Sequence, residues 1–119
     1  MDSVGPLPYT RARIVNNFVL SSGHVPLNAE GQLVSPDFAS QFEYVVRGIE
    51  TSLGEVGATL KDVVQLRCYL ARQEDFDELN ALCRQAFPEP FPTRTTVVVD
   101  MARPGILIEI EPTAVIGEP

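Results

Sequence analysis

In "ILIEIE", Ile106 to Glu111, isoleucine returns at every second position, with Leu107, Glu109 and Glu111 between. Side chains of a strand alternate between its faces, so this stretch predicts a strand with Ile106, Ile108 and Ile110 in a core and a largely charged row opposite. A sheet built on such a strand needs apolar cover on one face only. Two amphipathic stretches supply it. After Ser35-Pro36, a hydroxyl cap followed by a first-turn proline, Phe38, Phe42, Val45, Ile49, Leu53 and Val56 recur at three- and four-residue spacing, and Gly54 and Gly57 stop the helix. Asp75 and Glu78 form the pattern of a capping box before a second helix with the stripe Phe76, Leu79, Leu82, Cys83, Ala86 and Phe87.

The other segments read as strands. Tyr9 to Val15 and Phe18 to Ser22 flank Asn16-Asn17, a pair that tolerates left-handed backbone, which predicts a hairpin. A short third strand is expected at Gln32 to Val34, after the N-A-E-G turn. Val63 to Ala71 alternates, with Val64, Leu66, Cys68 and Leu70 on one face and Val63, Gln65, Arg67, Tyr69 and Ala71 on the other. Pro88, Pro90 and Pro92 end the second helix, and strands follow at Arg94 to Met101 and Ile106 to Val115. The order β-β-(β)-α-β-α-β-β is that of an α+β fold: a mixed sheet with both helices on one face, over a single domain 1–119. Its other face requires a partner, and self-association is the natural one.

Composition narrows what such a chain does. Sixteen acids against nine Lys and Arg give a net charge of −7, a field that repels nucleic acid and anionic membranes. No segment has the apolar length of a membrane span, and "MDSVGPLPY" lacks the pattern of a secretory signal, so a cytoplasmic protein is expected. Cys68 and Cys83 lack C-x-x-C spacing and are expected as buried free thiols.

Within "FPTRTTVVVD", Phe91 to Asp100, Arg94 stands where a strand favours an apolar or hydroxyl side chain. A hairpin of the last two strands, centred between Ala102 and Arg103, sets Arg94 across from Glu111 and Thr96 across from Glu109 on one face. Such a cluster is open to two readings. One is a cross-strand surface pair worth ~0.2–1 kcal/mol. The other is a small-anion site in which the guanidinium fork grips a carboxylate and a glutamate acts on water. His24 and Lys61 are the only residues of their types, which disfavours His-rich metal sites and Schiff-base chemistry. Gly48, Gly54 and Gly57 fall in or just after a helix, so no phosphate-cradling loop is present, and no cofactor is expected.

Several segments together resemble the RidA/YjgF family of imine deaminases. "GPLPY" (Gly5 to Tyr9) is similar to its G-P-Y segment and "SSGHVPL" (Ser21 to Leu27) to its S-G-Q-[IV]-P segment. "GATLKDVVQLRCYL" resembles its G-[AL]-x-x-x-D-[VI]-V stretch, while "FPTRTTVVVD" and "ILIEIEPTAV" resemble its closing P-x-R and I-E-I-E-A signatures. The resemblance implies the chorismate-mutase-like RidA fold and a homotrimer whose sheets meet in a central barrel with clefts between subunits. It implies cofactor-free hydrolysis of imino or enamine acids, such as 2-aminoacrylate or 2-iminopropanoate, to 2-keto acids and ammonia. Position by position it assigns the substrate clamp to Arg94 and the water-placing carboxylate to Glu109, with Tyr9, Ser22, Asn80 and Thr96 as further substrate-binding residues. A non-catalytic trimer that binds keto or imino acids is the alternative. Thr96 stands where many members have cysteine, His24 where glutamine is common, and Leu7-Pro8 is an addition before Tyr9.

Overall fold

Asn16 takes up the left-handed backbone its side chain tolerates, at a φ of 57°. It turns the chain between β1 (Ala12–Val15) and β2 (Phe18–Ser21), paired from Val15↔Phe18 to Ala12↔Ser21. The computed structural model describes residues 7–117, so the Gly5-Pro6 part of the "GPLPY" motif lies outside the described residues. Gln32 to Val34 forms no strand. Asn28 Oδ1 accepts from the Glu30 and Gln32 amides and Gly31 turns at a φ of 78°, so the segment closes on itself and contributes one bridge, Leu27↔Leu33.

The first helix, α1 (Phe38–Gly54), is capped two residues later than the Ser35 hydroxyl suggests: the Asp37 carboxylate accepts from the Ser40 amide, and Ser35 Oγ accepts from Asp37. A charged acceptor at the helix N-terminus gains from the dipole as well as the bond. Its stripe from Phe38 to Leu53 is as expected, with Gln41, Val46 and Ser52 added, while Val56 falls beyond the helix and is half-buried. Gln41 is fully buried, donating to the carbonyls of Ser35 and Gly105 and accepting from the Leu107 amide, so it ties the approach to the last strand onto α1.

Strand β3 (Val63–Leu70) carries a bulge between Val63 and Gln65. The extra residue reverses the expected faces at its start, burying Val63 and turning Val64 out, and alternation holds from Leu66 on. The second helix, α2 (Phe76–Ala86), starts after a 3₁₀ turn, Gln73–Asp75. Asp75 forms no capping bond; its carboxylate accepts from Arg72 Nε and Nη2, each at 2.9 Å. The bidentate pairing of a buried carboxylate prevails over the capping box.

The last two strands, β4 (Thr93–Val98) and β5 (Ile108–Val115), do not form the expected hairpin. The sheet order is β1-β2-β5-β3-β4: β4 pairs with β3 in parallel through the α2 crossover, and β5 enters antiparallel between β2 and β3. Residues 99–107 are long enough to carry the chain across β3, whereas a tight hairpin needs only a few residues. The result is an α+β fold, a mixed five-stranded sheet with two helices. Ile106, Ile108, Ile110 and Ala114 join Phe42, Ile49, Leu66, Leu70, Leu79 and Phe87 in the buried core. The opposite face is open, with Phe18 50% and Leu20 49% exposed, and the molecule is 19 Å thin in its shortest direction. No helix among the described residues is long and apolar enough to cross a membrane.

Candidate functional site

Arg94 lies across from Leu66 on the edge strand β4, so its side chain emerges on the face beneath α2, not on the charged face. Nη2 donates to Asn80 Oδ1 at 2.5 Å, and the guanidinium carbon sits 5.6 Å from the centre of the Phe76 ring. Among the described residues it forms no ion pair, and neither Glu109 nor Glu111 reaches it. A guanidinium has five N–H donors. Arg94 gives one of them to Asn80 and lines a cavity of about 200 Å³ together with Asn80, Cys83, Phe87 and Phe91. Asn80 thus orients the cation instead of facing solvent. Phe76, expected in the core stripe, is 42% exposed and presents its ring to the cation.

Glu111 is occupied elsewhere. It accepts from Tyr69 Oη at 3.0 Å and lies 3.5 Å from Arg67, both on β3. Glu109 shares that open face, paired in register with Tyr69. Burial, and then the charge of Glu111, raise its pKa above the ordinary carboxylate value. Its Oε2 occupies the space that a side chain at Gly23 would need. Backbone bonds between His24 and Ile110, at 2.8 and 3.1 Å, hold the loop after β2 against β5 and fix that contact. The expected neighbourhood of Arg94 with Glu111, and of Thr96 with Glu109, is therefore corrected. Within the chain the cation and Glu109 lie on opposite faces of the sheet: Arg94 is in register with buried Leu66 and Glu109 with Tyr69 on the open face, and β3 separates their strands.

The remaining candidates fall into two places. Tyr9 and Ser22 line a broad cavity of about 590 Å³ together with Arg11, Gly23, His24 and Tyr44. Tyr9 is exposed, and Ser22 Oγ donates to the Thr10 carbonyl at 2.6 Å. His24 is half-buried, with Nε2 2.8 Å from Ser52 Oγ on α1 and with Nδ1 buried and unpartnered. Thr96 lies beside Cys68 on the helix side of β4, two residues along from Arg94, and its Oγ1 is likewise buried without a partner. Lys61 is exposed in the 3₁₀ turn Leu60–Asp62. Cys68 is a buried free thiol as expected, but Cys83 is only half-buried and faces the Arg94 cavity. Its place three residues after Asn80, on the same helical face, was the signal for it. Among the described residues no group of three or more His, Cys, Asp or Glu is arranged to hold a metal ion.

The model of the family described as Endoribonuclease L-PSP matches residues 4–116. A 3-aminoacrylate deaminase, RutC, from Acinetobacter baylyi is 34% identical over 108 residues, covering 90% of this chain and 86% of its own. The human 2-iminobutanoate/2-iminopropanoate deaminase is 31% identical over 111 residues, covering 92% and 81%. The crystal structure of RidA from an Antarctic Psychrobacter superposes with a TM-score of 0.85 at 31% identity, covering 97% of this chain and 92% of that one.

Proposed function

As the chain belongs to the endoribonuclease L-PSP family, the group that includes RidA and YjgF proteins, we propose that it hydrolyses short 2-imino and enamine acids to 2-keto acids and ammonia without a cofactor. The observation that carries this reading is Arg94: a cation on a cavity wall, oriented by Asn80 and free of any carboxylate among the described residues. In a chain of net charge −7 a small anion is held where a cation is set locally against the overall sign. The same charge disfavours the polyanionic substrate that the family's descriptive name suggests.

Arg94 grips the carboxylate of 2-iminopropanoate or a homologue in paired hydrogen bonds. Glu109, with Tyr9 and Ser22, comes from a neighbouring protomer. The assembly is a homotrimer in which Phe18, Leu20 and Val97 of the open face are covered by copies of the same chain, and each cleft joins the β4 edge of one copy to the loop after β2, with Glu109 of β5, of the next. Water adds to the iminium carbon, giving up its proton to Glu109, whose raised pKa makes it a better acceptor than an ordinary carboxylate. The proton then passes to nitrogen, Glu109 takes up the proton of the remaining hydroxyl as the carbonyl forms, and the C–N bond breaks with ammonia leaving. Thr96 contributes through its position beside the bound acid.

One observation favours a second reading. A single protomer holds the anion grip without the base, so binding alone requires no assembly. The two readings separate in a serine or threonine dehydratase assay. Wild type should accelerate keto-acid release, Glu109→Gln should bind pyruvate without accelerating it, and Arg94→Ala should do neither, with affinity falling about a hundredfold. A wild type that binds pyruvate yet leaves the release rate unchanged would establish the binding reading.

A further inference from the structure

Beyond the Arg94–Asn80 pair and the exposed Arg84, the cavity is lined by hydrocarbon and one thiol: Leu66 from β3, Phe87 at the end of α2, Phe91 and Pro92 from the turn into β4, and Cys83. Leu66 and Phe87 are 1% and 3% exposed, so the core holds them in place as a floor. Phe91 is 48% exposed and stands at the rim. Pro88, Pro90 and Pro92 stiffen the turn that carries it, so little entropy is lost when a ligand packs against the ring.

A methyl side chain does not fill such a space. An apolar void of ~150 Å³ is enough to take up benzene, and this one measures about 200 Å³. With the substrate carboxylate on Arg94 and the imino carbon open to water, the side chain of the substrate has still to be received. We propose, resting on the hydrolysis reading above, that the cavity is the side-chain subsite of that reaction and that it selects 2-imino acids with branched or aromatic hydrocarbon side chains over 2-iminopropanoate. Apolar walls with a few placed polar groups are the usual make-up of a pocket that fixes both the identity and the orientation of a small molecule.

The imino carbon is trigonal, so its carboxylate, nitrogen and side chain lie in one plane. A carboxylate held by Arg94 and a side chain packed on Leu66 and Phe87 define that plane at two points, leaving its faces to the attacking water. A methyl group gives the floor little to pack against, and the plane is then held by Arg94 alone. Each further methylene taken out of water in an apolar pocket raises kcat/KM about tenfold or more. Arg84 is exposed, where pairing with a second substrate carboxylate is weak, so dicarboxylic imines are not favoured. The favoured imines come from oxidation of apolar amino acids at Cα by an amino-acid oxidase; β-elimination from serine or threonine gives methyl and ethyl side chains only.

Imines generated in situ by an amino-acid oxidase with catalase, and intercepted by semicarbazide, test this: the share diverted from the semicarbazone gives relative kcat/KM. For wild type the value should be about tenfold or more higher with 2-imino-4-methylpentanoate and 2-imino-3-phenylpropanoate than with 2-iminopropanoate. Phe91→Ala, a change at an exposed position, should lower that ratio about fivefold, and Cys83→Leu, which fills the cavity, about tenfold. Equal or lower values for the bulky imines, a preference for 2-iminoglutarate, or a ratio unmoved in either variant would overturn the proposal. Failure of the hydrolysis reading looks different: no imine, 2-iminopropanoate included, would be diverted. Calorimetry then decides the subsite, which requires 4-methyl-2-oxopentanoate to bind about tenfold or more tighter than pyruvate; equal affinities, or no binding of either, would refute it.

Discussion

The Glu109 carboxylate is held half-buried against a loop that has no room for a side chain at Gly23. Burial raises its pKa, so the charged form is penalised above the folded-state value, and the penalty is relieved as pH falls through it. Glu109→Gln should therefore raise the melting temperature at pH 7 while abolishing hydrolysis, and the gain should shrink toward acid pH. A charge that stabilised the fold would give the opposite sign. By the same shift, the acid limb of the wild-type pH–rate profile should fall above the ordinary glutamate value of ~4.3. At Gly23 a methyl group would displace the end of the flexible Glu109 side chain, so Gly23→Ala should change thermal unfolding by less than about 1 kcal/mol and yet cost most of the hydrolysis rate. Equal activity in Gly23→Ala would mean that this contact does not set the position of the base.

Among the elements, the periodic ones were legible and the paired ones were not. The stripe of α1 from Phe38 to Leu53 and the alternation of Ile106, Ile108 and Ile110 are as expected, since burial of regularly spaced side chains is a local property of the chain. Strand order is not local. Nothing between Val99 and Leu107 declares that β5 crosses β3 instead of turning back on β4, and the site geometry depended on that choice. The bulge at Val63–Gln65 was equally hidden, because one inserted residue leaves the composition of the strand unchanged. Arg94 itself could be singled out, being a charge out of place, but its face could not. Gln41 escaped notice as an ordinary polar residue among apolar ones, although it satisfies three backbone groups at once. Gln41→Leu leaves those groups buried and unpaired, and chemical denaturation should show a loss of about 2–4 kcal/mol; a loss below about 0.5 kcal/mol would mean that the segment 105–107 is held by other contacts.

On the scale of the whole molecule, one face of the sheet is covered by helices and the other exposes Phe18, Leu20 and Val97 around the Arg67–Glu111–Tyr69 cluster. Burying those apolar side chains is the driving force for the proposed trimer. Phe18→Asp with Leu20→Asp should give monomers in analytical ultracentrifugation; monomers should retain the Arg94 cavity and lose the reaction, because the base then has no access to it. Mixing two inactive variants tests this division of the site most directly. Arg94→Ala and Glu109→Gln, unfolded together and reassembled in equal amounts, should recover about a quarter of wild-type keto-acid release, since that share of clefts draws Arg94 from one variant and Glu109 from the other. Reassembled mixtures that bind pyruvate but remain as inactive as either parent would contradict a cleft shared between protomers.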